Sequence, residues 1–333
     1  MPPTCPHSFE AWLDSPEAVR LFSYFKDSIV FPLHLIGAYC ILTKTPNSMH
    51  SVKWSLFCFH FWNVMFDLTY FLSVPIPVFP MPAGTMNGIL SRWGVPATVQ
   101  LLAMVTAVSY VSVSTLIIFE NRFFLLNSKK IWWKKCRPFW MVFNFIIGFA
   151  YQIPTILEVP DQILAKKLII ESLPCVPEFL YTADTVLPSL NDTTVILSTV
   201  FYVLVIFGQL FIFATIIIVQ LFTNFGGNTL SLTTRRLQKS LLKALVWQCG
   251  IPVLYLVVPG GYSVFSVATE YFSMPLNNLV ATTASLHGLV STFSILVIHQ
   301  PYRNTVVFWA KNKKKKENSR WANPMLSTNT GFH

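Results

Sequence analysis

Seven stretches of this 333-residue chain run most of a bilayer's width with almost no Lys, Arg, Asp or Glu, and no other feature restricts its fold so tightly. A helix needs about 20 mostly apolar residues to cross the hydrocarbon core. The stretches lie at about residues 21–43, 54–79, 95–119, 138–157, 195–222, 241–268 and 279–299. The chain holds 24 Lys and Arg and 14 Asp and Glu, clustered between the stretches, where an even spread would interrupt each one. With 53% hydrophobic and 11% charged residues, the composition excludes a disordered chain, a disulfide scaffold and a nucleic-acid module, even at a net charge of +10. Barrel strands would be about 10 residues long with alternating polarity, which these runs lack. The expected fold is an all-α membrane protein, a seven-transmembrane helix bundle.

The first stretch has the shortest uncharged run. Its uncharged core, residues 28–43, lies between Asp27 and Lys44 and reaches full length when residues 21–25 join it and Lys26 snorkels to the interface. The second contains Asp67, which costs about 2.5 to 3.5 kcal/mol at a helix centre and is offset by the surrounding Phe, Leu, Ile and Val. Nineteen of the Lys and Arg residues fall on one side of the expected membrane and five on the other, which directs the N-terminus outside and the C-terminus to the cytoplasm. Most acids, Asp27 included, fall on the outer side. The expected organisation is an extracellular segment at 1–20, the bundle at 21–299, and a cytoplasmic juxtamembrane helix and basic tail at 300–333. No apolar core followed by a small-residue cleavage site precedes the first stretch, so no removable signal peptide is expected.

The longest loop, residues 159–194, carries Pro160, Pro174 and Pro177 and is expected over the outer mouth of the bundle. Cys5 and Cys175 face the oxidising side, where a bridge between them and two free thiols fit the sequence equally. Asn191, in Asn191-Asp192-Thr193, is a candidate glycosylation acceptor. At the other end, the apolar residues 305–310 followed by the basic run 311–316 read as a helix on the inner leaflet. Each cation there attracts anionic lipid by about 1 kcal/mol.

Polar residues recur at helical spacing inside the stretches. His60, Asn63 and Asp67 share one face of the second, Thr106, Ser109 and Ser112 one face of the third, and His287, Ser291 and Ser294 one face of the seventh. Together they form a candidate polar seam that serves either ligand binding and switching or interhelical hydrogen bonding. Pro252 and Pro259 predict a bend in the sixth stretch. Glu120-Asn121-Arg122 closes the third stretch, with Glu120 expected to pair with Arg122, and Pro301-Tyr302-Arg303 follows the seventh.

No nucleophile with a base, no paired carboxylates and no metal-ligand spacing emerges, and no metal or cofactor is expected. Gly261-Tyr262-Ser263 resembles part of an intramembrane protease motif, but Val264 stands where its final glycine belongs. The chain therefore does not read as an enzyme. A small-solute transporter or channel-like protein is the alternative reading, although the sequence shows neither duplicated halves nor an acid relay. Seven stretches with the N-terminus outside fit a receptor better.

Several segments resemble the nematode serpentine chemoreceptors of class H, seven-helix G-protein-coupled receptors. The likeness lies in Ser51-Val52-Lys53-Trp54, Phe59-His60-Phe61-Trp62 with Asp67, Phe119-Glu120-Asn121-Arg122-Phe123, Pro160-Asp161-Gln162 and Leu173-Pro174-Cys175. It continues in Thr234, Leu237-Gln238, Gln248, Ile251-Pro252 and His299-Gln300-Pro301-Tyr302-Arg303, and so covers nearly the whole chain. The resemblance implies a chemosensory receptor in a sensory-neuron plasma membrane, binding an environmental small-molecule ligand from outside and activating a heterotrimeric G protein. It implies coupling roles for Glu120, Asn121, Arg122, Pro301, Tyr302 and Arg303. The chain lacks the Asp-Arg-Tyr triplet of rhodopsin-like receptors and their Cys atop the third helix.

Overall fold

The computed structural model describes residues 4–5, 15–127, 131–225, 246–247, 250–251, 253–308 and 311. Outside the described residues lie most of the N-terminal segment, Lys129 and Lys130, the basic cluster from Arg235 to Lys243, Gln248, Cys249, Pro252 and the lysines at 313–316.

Among the described residues, seven principal helices follow the seven apolar stretches. They are α1 (Pro16–Thr43), α2 (His50–Ser73), α3 (Ala97–Leu126), α4 (Ile131–Ala150), α5 (Asp192–Phe225), α6 (Val258–Thr269) and α7 (His287–Ile298), the last preceded by the helix Met274–Ser285. Among the described residues, five helical segments are long and apolar enough to cross a membrane: Pro16–Thr43, Ala97–Leu126, Ile131–Leu157, Thr193–Gln220 and Met274–Ile298. The sixth is the shorter apolar helix Leu254–Thr269. α2 is long enough at 24 residues but carries the buried polar residues His60, Asn63 and Asp67.

Local chemistry moves the helix ends away from the apolar boundaries. α1 begins at Pro16, ahead of the expected residue 21, because the Ser15 hydroxyl accepts the Glu17 amide hydrogen and Pro16 suits the first turn. Lys26 and Asp27 are then inside α1 and buried, 3% and 0% exposed, which corrects the expectation that both reach the outer interface. α2 stops at Ser73, not residue 79, where Val74 turns left-handed at φ 42° and Pro75 and Pro77 forbid a helix. α3 continues to Leu126, so Glu120, Asn121 and Arg122 lie within it. α4 starts at Ile131, ahead of the expected Pro138, because its basic first two turns are helical as well. It breaks at Tyr151-Gln152, where Pro154 crowds the Ala150 carbonyl, and resumes as Ile153–Leu157. In α6, Pro259 follows a π-helical turn at Val253–Val257. Ahead of α7, the chain breaks at Leu286.

Between helices, a small sheet departs from an all-helical architecture. β1 (Pro75–Pro77), β2 (Gly84–Met86) and β3 (Thr185–Val186) pair antiparallel in that order, with Ile76 opposite Thr85 and Gly84 opposite Val186. β3 belongs to the long loop, which also holds the helix Gln162–Ser172, capped by Asp161 through the Ile163 and Leu164 amides. The loop and the β1–β2 hairpin share an apolar cluster that includes Val78, Ile169, Leu173, Val176 and Leu187. A disulfide joins Cys5 to Cys175, and the Cys5 amide donates to the Val176 carbonyl. This covalent tie closes a loop of 170 residues of sequence separation over one end of the bundle. A bond closing so long a loop removes much of the unfolded chain's freedom. Reductant is expected to lower the thermal midpoint of the purified protein by several degrees and to leave a Cys175→Ser variant, already low, unchanged; equal midpoints with and without reductant would refute this constraint.

Candidate functional site

Beneath the sheet lies a cavity of about 510 Å³, within the range of small-molecule sites. Its roof is Pro75, Ile76, Gly84, Met86 and Val186 from the three strands, and its walls come from α2, α3, the broken end of α4, α5, α6 and the helix before α7. The lining is chiefly Val, Leu, Ile, Met, Phe and Pro. Its polar members are Thr98, Thr155, Thr199, Ser263, the two tyrosines Tyr70 and Tyr151, and Gln152. Gln152 and Tyr151 reach it because the break before Pro154 takes both out of regular helix. Tyr151 stacks on Tyr202 at 4.3 Å and donates to Ser109 Oγ, while Tyr202 donates to the Ser109 carbonyl, so Ser109 binds α3 to α4 and α5.

A second polar assembly joins α1, α2 and α7. His34 Nε2 meets Asp67 Oδ2 at 2.9 Å and His34 Nδ1 meets Thr292 Oγ1 at 3.0 Å, so one imidazole on α1 links the other two helices. His60 Nε2 donates to the His34 carbonyl at 3.0 Å, and Asn63 donates to the Phe59 carbonyl. Helix backbones approach closely here: a Cβ on Gly37 would meet His60 Cε1 at 2.8 Å, and one on Gly288 would overlap the Asp67 carboxylate. Nearer the sheet and long loop that form a lid over the cavity, Lys26 pairs with Asp27 at 2.9 Å and donates to the Ser285 carbonyl, which ends the helix before the break at Leu286. An ammonium at a helix C-terminus is favourably placed.

Two aromatic rings separate this assembly from the cavity. Tyr70 lines the cavity and carries Lys26 Nζ 5.3 Å from its ring centroid. Phe66 lines it one turn away and makes an edge contact with the fully buried His287.

At the opposite end, Glu120 is fully buried, accepting from Trp133 Nε1 and Arg137 Nε, both at 2.8 Å. Arg137 also donates to Asn121 Oδ1, and Asn121 donates to the Ser51 carbonyl and Ser55 Oγ, clamping α2, α3 and α4 together. This corrects the expected Glu120–Arg122 pair: residues two apart on a helix face different directions. Arg122 Nε is buried with no hydrogen-bond partner among the described residues. Tyr302, 0% exposed, donates to Thr45 Oγ1 at 2.7 Å and packs in one cluster with Val52 and Ile118. Arg303 is exposed and donates to the Val297 carbonyl, and Pro301 is part-buried.

Residues 14–312 match the model of the family described as serpentine type 7TM GPCR chemoreceptor Srh. The chain belongs to this Srh family. It is 28% identical to serpentine receptor class H-72 of Caenorhabditis elegans over 309 residues, covering 91% of this chain and 88% of that one. An Srh chain is a seven-transmembrane, multi-pass membrane protein of the chemoreceptor class, and the helices described above are its bundle.

Within this Srh bundle, the expected polar seam divides into separate groups. His60, Asn63, Asp67 and His287 are in or against the α1–α2–α7 assembly, whereas Ser109 and Thr106 hold the broken end of α4 beside the cavity, Thr106 Oγ1 accepting from Gln152. Ser112 donates to its own helix at the Val108 carbonyl. Ser291 and Ser294 border a small hollow with Phe59, Ile251 and His299. None of the nine seam residues lines the main cavity. His34, Arg137, Trp133, Tyr151 and Gln152 are not among the sequence's candidate site residues, and Lys26 and Asp27 entered there only as interfacial charges, although a basic and an acidic neighbour beside an apolar run was a readable signal of a pair. Asn191 lies at the start of α5, exposed, its side chain accepting from the Thr193 amide. Ser263, the residue of the protease-like triplet, donates to the Pro259 carbonyl and lines the cavity without a base.

Proposed function

We propose that this chain is a chemosensory receptor that takes a small environmental molecule into the 510 Å³ cavity from the extracellular side and activates a heterotrimeric G protein at the opposite face of a sensory-cell plasma membrane. The observation that carries the reading is the wall made by Phe66 and Tyr70, one face on the cavity and the other on His287 and Lys26. An occupant that shifts these rings changes the packing of buried charges joining α1, α2 and α7. A ligand can bias such an equilibrium only by its differential affinity for the two arrangements, and here the differential contact is with those rings.

The lid end carries the disulfide, which fits an oxidising exterior. The opposite end carries Lys44, Lys53, Lys134, Lys135 and Arg137, which fits the cytoplasm. There, Arg122 and Arg303 form the coupling surface, the buried Tyr302 packs beneath it, and Glu120 with Asn121 holds it through the clamp to Arg137. The basic tail beyond Lys311 contacts anionic lipid.

The test is a cell-based G-protein activation screen with volatile and water-soluble mixtures, with surface delivery measured in parallel. Arg122→Ala is expected to reduce the ligand response more than about tenfold, equivalent to about 1.4 kcal/mol, while surface delivery stays near the parent level. A full response in that variant would remove Arg122 from the coupling surface, and solute flux in place of signalling would replace the receptor reading with a transporter.

A further inference from the structure

We infer that the cavity selects an uncharged, mainly apolar molecule bearing a hydroxyl or N–H group, and that Gln152 is the residue that reads this donor. The inference rests on the receptor reading above and specifies its ligand class.

Charge is excluded by the lining. Among the described residues, no Asp, Glu, Lys, Arg or His borders the cavity, so an ammonium or carboxylate entering it would lose its hydration without an opposite charge to replace it. The charged side chains nearby are already engaged: Lys26 with Asp27 and the Ser285 carbonyl, Asp67 with His34. They lie against Tyr70 and the α7 backbone and do not line the cavity.

Gln152 supplies the polar recognition. Gln152 is in the lining, the residue is only 6% exposed, and among the described lining residues it alone carries an amide side chain. Nε2 donates to Thr106 Oγ1 at 3.1 Å and to the Gly148 carbonyl at 3.4 Å. Because a carbonyl accepts only, the Gly148 contact sets which end of the amide is nitrogen. Both N–H groups are thereby used, and none of the hydrogen bonds among the described residues ends on Oε1. The side chain therefore offers the cavity an acceptor held in one orientation by α3 and α4. Tyr70, whose buried hydroxyl has no hydrogen-bond partner among the described residues, and Thr155, Thr199 and Ser263 have hydroxyls that can give or take a proton and so discriminate less. A ligand donor satisfies Oε1, whereas a carbonyl in the same place faces it with a second acceptor.

The test uses one carbon skeleton with four head groups: menthol, menthone, menthylammonium and p-menthane-3-carboxylate. Thermal stabilisation of the full-length receptor in lipid nanodiscs is measured without G protein. Menthol is expected to stabilise at concentrations about tenfold below menthone, a ratio worth about 1.4 kcal/mol, and neither ion is expected to stabilise. Gln152→Leu is expected to erase the menthol preference, and the near-isosteric Gln152→Glu, which retains an acceptor and adds charge, to admit menthylammonium.

Stabilisation by either ion at menthol's concentrations, a menthol preference that survives in Gln152→Leu, or no response to menthol up to about 1 mM, the level of a −4.1 kcal/mol site, would overturn the inference. If Gln152→Leu does not fold, the response of Gln152→Glu to menthylammonium decides. Binding that follows the expected pattern without any G-protein response would overturn the coupling reading and leave the ligand class standing.

Discussion

Gly288→Ala should abolish delivery of this receptor to the cell surface. The added methyl overlaps the Asp67 carboxylate, with Oδ1 at only 2.7 Å from the new carbon. Asp67 is 0% exposed on α2 and Gly288 is on α7, so relief requires either that the helices part or that the carboxylate turns away from His34. Separation gives up packing over several turns. Rotation strands a buried charge, and breaking one side of a buried pair costs about 3 to 5 kcal/mol out of a total stability of about 5 to 15 kcal/mol. Either route removes a large share of that stability, and at the lower end of the range nearly all of it, and losses of this size deplete a protein in cells through its quality control.

The compensating change separates close packing from any direct role of Gly288 in signalling. Asp67→Ala combined with Gly288→Ala removes the carboxylate and makes room for the methyl, and should recover surface delivery without restoring normal activation. Asp67→Asn alone keeps the shape and a hydrogen bond to His34 and should be delivered while altering activation. Surface immunolabelling of intact cells distinguishes these outcomes; normal delivery of Gly288→Ala would show that the two helices do not meet as closely as described.

The second large effect is expected at the opposite end of the bundle. Arg137→Met leaves the fully buried Glu120 with the Trp133 indole as its one donor among the described residues, and should lower stability by about 3 to 5 kcal/mol. Glu120→Gln in the Arg137→Met background removes the stranded charge, keeps an acceptor for Trp133 and should recover most of the loss. Non-additivity of about 0.5 to 3 kcal/mol in that cycle, read from thermal unfolding of the purified receptor, would measure the pair directly. Additive single effects would mean that the clamp between α3 and α4 does not depend on this charge pair. Arg137 also covers the Phe124 ring at 4.6 Å, so part of the effect belongs to lost packing and is retained in the double variant.

The sequence carried the number of membrane helices, since about 20 apolar residues are required wherever a chain crosses lipid. It carried the asymmetry of charge between the two ends, the membership of the class H family, and the faces that hold His60, Asn63 and Asp67 or His287, Ser291 and Ser294. These follow from spacing along one helix, and a helix has a set period. Helix ends followed less closely, because caps and prolines at Ser15, Val74 and Pro154 act locally and are not visible in an apolar count.

The partners of the polar residues were settled only by the tertiary structure. Asp67 meets His34, 33 residues earlier, and Glu120 meets Arg137, 17 residues later, in place of the nearby Arg122. The cavity likewise opens beside the expected seam and is lined by other residues, Gln152 among them. The physical reason is that apolar residues surround these helices on nearly every side, so hydrophobic burial alone leaves rotation about each helix axis weakly specified. Rotation and axial offset are decided when neighbouring helices pack, at close approaches such as Gly37 and Gly288 and at buried charges that must find an opposite.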